Sequence, residues 1–143
     1  MKSDEVCSAR HINHVCIAVA NIVETINFYV LIFGINTPKV VDIEDQSVKA
    51  ALVEVGGSQL EFIQPTDSES GVARFLKTKG DGVHHICFEV DNLDETLHSL
   101  EAAGINLIDK RPRKGLSGMI AFLHPRSTRG VLIELVDRDT VGG

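Results

Sequence analysis

The stretch VHHICFEVDNLDET, residues 83–96, repeats an earlier stretch of the chain, INHVCIAVANIVET, residues 12–25. The offset is 71 residues, and six of the fourteen aligned positions are identical, which is more than chance readily supplies. The identical positions include a histidine, a cysteine and an Asn-x-x-Glu-Thr segment. Self-similarity at a fixed offset indicates a duplicated structural unit, so the chain is predicted to contain two copies of one module.

Each copy predicts a strand followed by a helix. In the first strand Val15, Ile17 and Val19 alternate with other residues, which is the period of a β-strand. Asn21 and Asn92 are good helix N-caps, and each is followed three residues later by a glutamate, as in a capping box.

Extended runs bounded by turn residues follow both helices. We predict strands at Val40–Ile43, Val48–Val55 and Gln59–Gln64 in the first copy, and at Leu107–Ile108 (a short one), Gly118–Leu123 and Gly130–Val136 in the second. Gly34 and Gly104 are predicted to end the two helices as C-cap residues.

The predicted fold is therefore α+β, built from paired βαβββ modules. A module of about 60 residues scarcely buries its own sheet face. The two modules are expected to form one pseudo-symmetric, partly closed eight-stranded sheet with the helices outside. We interpret residues 1–143 as a single domain, with module one at 11–66, a linker with a short helix at 67–80 and module two at 81–138.

Composition and charge exclude several classes of protein. The net charge of −6 argues against a nucleic-acid binder, which needs a positive surface. The longest apolar runs, such as Phe28–Phe33, are far shorter than the ~20 residues of a membrane helix, so no membrane association is expected. The N-terminus lacks the apolar core of a secretory signal, and three cysteines are too few for a disulfide framework. We expect a cytoplasmic protein, or one in an organelle matrix after loss of a targeting segment.

Four polar residues occupy equivalent positions in the two copies. His14 and His85 lie at the same point of the first strands, and Glu61 and Glu134 lie at the same point of the last strands. Each glutamate stands between two large apolar residues, and a buried carboxylate is costly unless it is paired or bound to a metal. The sequence predicts that these four residues bind one divalent ion, Co, Mn, Fe, Ni or Zn. About two coordination positions would remain for water or substrate.

The neighbouring thiols and imidazole have simpler interpretations. Cys16 and Cys87 share a strand face with the histidines, and we interpret them as small buried packing residues, with a soft metal ligand as the alternative. His84 precedes His85 and is expected to point to the opposite face, so we interpret it as structural.

At these positions the chain resembles the vicinal oxygen chelate (glyoxalase/bleomycin-resistance) superfamily and, within it, the methylmalonyl-CoA epimerase family. The resemblance is carried by INHVCIAV, LEFIQP, GDGVHHICFEVDNLDETL and FLHPRSTRGVLIELV, which together span residues from about 11 to 138. The four predicted ligands fall on the positions that bind metal in that family. The ending HPRSTRGVLIEL is of the epimerase type, whereas glyoxalase I relatives usually carry a DPDG-type turn there.

The resemblance implies a metal-dependent isomerase, a racemase/epimerase that acts on methylmalonyl-CoA in propionate metabolism. The reaction would be a 1,1-proton transfer through a metal-stabilised enolate, at the carbon between the thioester and the carboxylate. Glu134 is the candidate catalytic acid/base, because a metal-bound carboxylate lies beside the substrate. The resemblance also implies an acyl-CoA substrate and a homodimer.

The second acid/base that inversion requires stays unassigned. Some epimerases of this type carry a glutamate in the strand after the turn that here reads Glu44-Asp45-Gln46-Ser47, and Ala50 occupies the corresponding position. Water is one candidate, and Glu44 or Asp45 would serve only if the loop folds inward.

Substrate contacts are predicted for Gln46, Ser117, Gly118 and His124. The backbone N–H groups near Ser117 and Gly118 would bind the substrate carboxylate, and Gln46 and His124 would line the pocket. For His124 a turn residue held by Pro125 is an equal alternative. A basic loop is either a binding site for coenzyme A phosphates or a solvated loop; it comprises Lys110, Arg111, Arg113 and Lys114, with Arg126 and Arg129.

Three other functions are compatible with parts of this pattern. A glyoxalase I-type isomerase would use the same four ligands on a glutathione hemithioacetal. A dioxygenase of the superfamily normally has a three-ligand facial site, and four ligands are offered here. A metal-free small-molecule-binding resistance protein would typically lack the ligand set altogether.

Overall fold

The computed structural model describes residues 4–142, which form eight β-strands, three α-helices and three short 3-10 helices. The strands are β1 His11–Ala18, β2 Val41–Ile43, β3 Val48–Val55, β4 Ser58–Pro65, β5 Gly82–Val90, β6 Arg113–Lys114, β7 Met119–Leu123 and β8 Ile133–Asp137. The helices are α1 Ile22–Phe33, α2 Gly71–Lys79 and α3 Leu93–Ala102, and the 3-10 helices are Glu44–Gln46, Pro125–Ser127 and Arg138–Thr140. The α+β class predicted from the sequence is confirmed.

The helices that these residues form all lack the combination of length and apolar character that a membrane crossing requires.

The chain divides into two compact units whose boundaries fall inside β1 and β5. The first-half unit comprises His14–His84, and the second-half unit joins the described residues up to Asn13 to those from His85 onward. The predicted modules begin at residues 11 and 81, whereas the chain passes from one unit to the other at His14 and at His85. The first three residues of β1 and of β5 therefore belong to the other unit.

In the first-half unit the strand order is β2-β3-β4-β1, with β1 parallel to β4 and the other pairs antiparallel. Helix α1 covers one face, where the core cluster includes Ile22, Ile26 and Phe62. Helix α2 covers the other face, where Phe75 packs against a cluster that includes Ala50. Because neighbouring strand residues point to opposite faces, this unit has an apolar layer on each side of its strands.

The second-half unit repeats this arrangement with the order β5-β8-β7-β6, in which β5 is parallel to β8. Helix α3 covers one face, and its Leu93 and Leu97 pack with Leu135. The opposite face holds a smaller cluster made of strand residues, Cys87, Ile120 and Val136 with Phe122 at its edge. The duplicated β-α-β-β-β order is thus present in both units.

The predicted capping residues begin both outer helices. The Asn21 side chain accepts the Glu24 N–H, and the Asn92 side chain accepts the Glu95 N–H. Gly34 ends α1 in the left-handed conformation, at φ 67°. For α3 the prediction was one residue late, since the C-cap is the residue before Gly104.

One predicted strand of the second half was wrong. At Leu107–Ile108 only an isolated bridge forms, between Leu107 and Leu123. The outer strand is instead β6, which lies inside the basic loop and pairs with β7. Asp109 explains the position, because its two carboxylate oxygens accept the backbone N–H of Phe122 and the Nε–H of Arg113. A charged sequence is suited to a short edge strand.

Candidate functional site

In the first-half unit a histidine and a glutamate from neighbouring strands meet in the interior. In the parallel register Glu61 of β4 lies opposite Cys16 of β1, so its side chain shares a face with Cys16 and His14. The His14 Nε2 and Glu61 Oε1 atoms are 3.3 Å apart. Only 1% of His14 and 8% of Glu61 is exposed.

The second-half unit contains the same arrangement. Glu134 of β8 lies opposite Cys87 of β5, so it shares a face with Cys87 and His85. The His85 Nε2 and Glu134 Oε1 atoms are 2.9 Å apart, with 5% of the histidine and 4% of the glutamate exposed. Each unit thus holds one buried His–Glu pair at the register that the sequence repeat predicts.

The two pairs fit the geometry of metal ligands. Donors at about 2.1 Å from a common ion, in tetrahedral or octahedral coordination, lie about 3.0–3.4 Å from each other. The nitrogen–oxygen distances of 3.3 Å and 2.9 Å are close to that range. Imidazole and carboxylate donors also suit the borderline divalent ions named above.

An aromatic ring and a guanidinium border the second-half pair. Phe122 of β7 lies opposite Glu134 in the antiparallel register. Its ring packs edge-to-face against His85, with 5.1 Å between ring centroids. The Arg113 guanidinium lies over the same ring, 5.6 Å from its centroid. The sequence placed Arg113 only within a basic loop and gave Phe122 no role.

The cysteines and His84 take packing positions. Cys16 and Cys87 have no exposed surface, and each belongs to a hydrophobic cluster. The His84 ring packs edge-to-face against Phe75 of α2, at 5.0 Å between centroids. The packing and structural roles of the three residues stay predictions, with a soft metal ligand as the alternative for the two cysteines.

The predicted substrate-binding residues lie in loops. Gln46 is exposed in the 3-10 helix after β2, and Ser117 is buried in the β6–β7 turn. At Gly118, with φ 146°, a Cβ atom would lie 2.7 Å from the Thr140 Oγ1, so only glycine fits this turn. His124 caps the 3-10 helix that follows β7, since its Nδ1 accepts a backbone N–H at 3.1 Å. This observation favours the turn role for His124, and the contacts of all four with substrate stay predictions.

The position that some epimerases fill with a glutamate is apolar here. Ala50 is 1% exposed and pairs with Ile63 on the face that carries Glu61. Glu44 and Asp45 are exposed in the 3-10 helix before β3. The β3 strand therefore offers no side-chain base at that point.

A separate cavity of about 260 Å³ lies in the second-half unit, beside the N-terminal turn of α3. Its lining includes Cys7, Glu95 and Ser99. Burial raises the pKa of the Cys7 thiol, and the nearby Glu5 carboxylate raises it further. The thiol therefore stays protonated near neutral pH, so it is a poor nucleophile.

Comparison with known proteins gives matches over most of the chain. Residues 13–122 match the model of the Glyoxalase/Bleomycin resistance protein/Dioxygenase superfamily. The uncharacterised protein YqjC of Bacillus subtilis is 39% identical over 127 residues, which cover 88% of this chain and 91% of that protein. The mitochondrial methylmalonyl-CoA epimerase of Homo sapiens is 35% identical over 126 residues, 87% of this chain and 72% of that protein.

Solved structures show the same likeness. A variant of the Streptomyces coelicolor methylmalonyl-CoA epimerase, in complex with 2-nitronate-propionyl-CoA, has a TM-score of 0.86 and 30% identity. The alignment covers 95% of this chain and 100% of that one. The hypothetical protein BH1468 of Bacillus halodurans has a TM-score of 0.85 and 35% identity, with 90% and 94% of the two chains covered.

Proposed function

Because the chain belongs to the glyoxalase/bleomycin resistance/dioxygenase superfamily and is an isomerase of its epimerase type, we propose that it epimerises methylmalonyl-CoA. The observation that carries this proposal is the buried His–Glu pair found at the same register in both units. The similarity to proteins named methylmalonyl-CoA epimerases supports the substrate.

In this proposal His14, Glu61, His85 and Glu134 hold one divalent ion. The support is chemical, since each pair offers an imidazole nitrogen and a carboxylate oxygen at ligand-like spacing and is shielded from water. When bound, a divalent ion supplies Lewis-acid stabilisation of negative charge on the thioester oxygen. Each unit holds two of the four ligands, so the proposal requires residues 11–138 to act as one domain.

Glu134 is the residue we assign to proton transfer at the carbon between thioester and carboxylate. Its carboxylate is buried, and His85 Nε2 lies 2.9 Å from Oε1, so the group is held in place. A base that is fixed before the reaction loses little entropy on reaching the transition state. The ring of Phe122 opposite Glu134 helps to exclude water from this carboxylate.

Inversion of the centre needs a second proton donor on the other face of the substrate. The β3 position holds Ala50, which has no acid/base group. We propose a water molecule for this role, with Glu44 or Asp45 of the 3-10 helix as the alternative if the loop folds inward. We further propose that the N–H groups near Ser117 and Gly118 bind the substrate carboxylate, with Gln46 and His124 at the pocket edge.

The decisive experiment is hydrogen–deuterium exchange at C2 of methylmalonyl-CoA in D₂O. We expect exchange with the purified protein, its loss after chelation and its return with Co or Mn. Turnover of the methylglyoxal–glutathione adduct in place of exchange would favour a glyoxalase I-type isomerase. If the protein takes up no metal ion and binds small molecules without converting them, the result would favour a sequestering function.

The proposed cellular setting is a reducing compartment such as the cytoplasm. Its support is chemical, since three cysteines are too few for a disulfide framework and two of them are fully buried in apolar clusters.

We also propose that the protein is a homodimer that docks through helix α1. The solvent side of this helix carries large apolar side chains, Phe28, Leu31 and Ile32 with Phe33 at its end, and Leu31 is 81% exposed. Together they expose roughly 500 Å², judged from typical side-chain areas. Two such faces bury about 1,000 Å², the lower limit for a specific interface.

The composition of the helix favours a second copy over a lipid surface. Helix α1 has no Lys or Arg, whereas membrane-surface helices carry basic residues on their polar face. Leu31→Asp is expected to convert a dimer to a monomer in analytical ultracentrifugation. The control Ile108→Asp, at another exposed apolar position, is expected to stay dimeric. A monomeric parent protein would contradict the interface.

A further inference from the structure

Arg113 stands on the same face of the second-half strands as Glu134. It lies opposite Ile120 in the β6–β7 pair, and Ile120 belongs to the cluster on that face. Its guanidinium lies over the ring of Phe122, which in turn contacts His85. Each of these contacts spans less than 6 Å, so the guanidinium lies at most about 11 Å from the His85 ring.

The Arg113 guanidinium is held in position by Asp109 and by the Phe122 ring. Its Nε–H donates to Asp109 Oδ1 at 2.9 Å, and Asp109 Oδ2 accepts the backbone N–H of Phe122. The side chain is thus linked to β7 through Asp109 and held over the Phe122 ring by a cation–π contact. A planar guanidinium held in this way loses little entropy when it binds a further group.

The outer end of the guanidinium is open. Arg113 has five N–H donors, and the bond to Asp109 uses one of them. The two terminal NH₂ groups make no hydrogen bond with any described residue, and 45% of the side chain is exposed. Two parallel N–H donors in this geometry match a carboxylate or a phosphate.

We infer that Arg113 binds the free carboxylate of the acyl group, together with the N–H groups proposed near Ser117 and Gly118, and so selects malonyl-type thioesters over simple acyl-CoA. This inference rests on the proposed function, because the thioester must lie at the His–Glu pairs. The coenzyme A phosphates are the other possible source of an anion. The nearest phosphate lies roughly 15 Å from the thioester sulfur along an extended pantetheine arm, given standard bond lengths. That separation exceeds the distance from His85 to Arg113, whereas the acyl carboxylate is only two carbons from the thioester oxygen.

The test compares the binding of methylmalonyl-CoA and propionyl-CoA, which differ by the free carboxylate alone. Calorimetry on metal-loaded Arg113→Gln is expected to show methylmalonyl-CoA binding about 10- to 100-fold weaker than in the parent, the range for one charge-assisted pair. Binding of propionyl-CoA and the metal content are expected to stay unchanged. Arg113→Lys keeps the charge without the planar guanidinium, so its affinity for methylmalonyl-CoA is expected to lie between those of the parent and of Arg113→Gln.

Lys114→Gln is the matched control, since it removes one positive charge from the neighbouring residue of β6. An equal loss in this variant would indicate diffuse electrostatic attraction and overturn the inference. Weaker binding of both ligands by Arg113→Gln would assign the residue to coenzyme A phosphates instead. Lost metal content in Arg113→Gln would make its role structural, and unchanged binding of both ligands would remove it from the site. A parent protein that binds methylmalonyl-CoA no better than free coenzyme A would refute the proposed function itself.

Discussion

The two halves of the molecule carry the same His–Glu pair beside different walls. Opposite Glu61 in the first half the β3 residue is Leu52, whereas opposite Glu134 in the second half the β7 residue is Phe122. At the next strand outward, the first half has Val41 and the second half has Arg113 at the equivalent register. We call Leu52 and Val41 the first wall, which is aliphatic. We call Phe122 and Arg113 the second wall, which is aromatic and cationic.

The two walls also differ in how far other elements cover them. In the first half, helix α2 packs its Phe75 onto the cluster beside Glu61. In the second half, the cluster beside Glu134 is made of strand residues, and the Arg113 side chain next to it is 45% exposed. Both halves carry the same pair, and beside it the second half has an aromatic and a cationic side chain where the first half has aliphatic ones.

The largest expected effect comes from removing either histidine. We expect His14→Ala and His85→Ala each to lose metal binding and about three orders of magnitude of exchange activity, because the proposed site takes two of its four ligands from each half. Metal analysis of the purified variants and the C2 exchange assay measure these losses. His98→Ala, at an exposed position of α3, serves as the control. Full metal content in one variant would show that the other half binds an ion alone.

The next effect tests whether the halves are equally packed. Ile26 of α1 and Leu97 of α3 are 71 residues apart and both are buried. We expect Ile26→Ala and Leu97→Ala each to lower the free energy of unfolding by about 3 kcal/mol, the usual cost of such a cavity. Urea denaturation followed by circular dichroism measures both values. A difference above about 2 kcal/mol would mean that one helix contributes little to its half.

A smaller effect tests the second wall directly. Phe122→Leu installs the side chain that the first half has at this register. The Arg113 guanidinium then loses its ring contact, so we expect methylmalonyl-CoA binding to weaken about three- to tenfold with metal content unchanged.

The reciprocal change, Leu52→Phe, adds a ring where no arginine is available. We expect it to destabilise the first half by about 1–3 kcal/mol through overpacking and to leave the affinity for substrate no higher. Calorimetry and urea denaturation separate the two outcomes. Tighter substrate binding in Leu52→Phe would show that the aromatic ring alone, without the guanidinium, distinguishes the walls.

The smallest effect concerns the two helix caps. Asn21 has an extended backbone, at φ −136°, whereas Asn92 has a left-handed one, at φ 47°. Alanine removes the cap at either position, at a cost of about 1 kcal/mol. At Asn92 it also meets left-handed strain of about 1 kcal/mol. We therefore expect Asn92→Ala to be the more destabilising variant by about 1 kcal/mol, and Asn92→Gly to recover most of that difference in thermal denaturation.

Much of the fold was predictable because the duplication repeats local signals. The strand period around Val15, the capping asparagines and the turn at Gly34 act within a few residues, so their sequence patterns suffice. The outer strand of the second half was predicted wrongly for the opposite reason. Leu107 and Ile108 look like a strand by composition, but the bonds of Asp109 to Phe122 and Arg113 place the strand further on. The bond to Phe122 joins residues that are 13 positions apart, and no local pattern reveals it.

The sequence by itself determined the α+β class, the duplicated order of elements and the four polar residues that the two halves share. Only the tertiary structure decided which side chains stand beside them. Whether Phe122 contacts His85, and whether Arg113 lies over that ring, depends on the register between strands, and this register follows from packing over the whole unit. Local periodicity decides which face a residue occupies, whereas the pairing of distant strands decides what that residue touches.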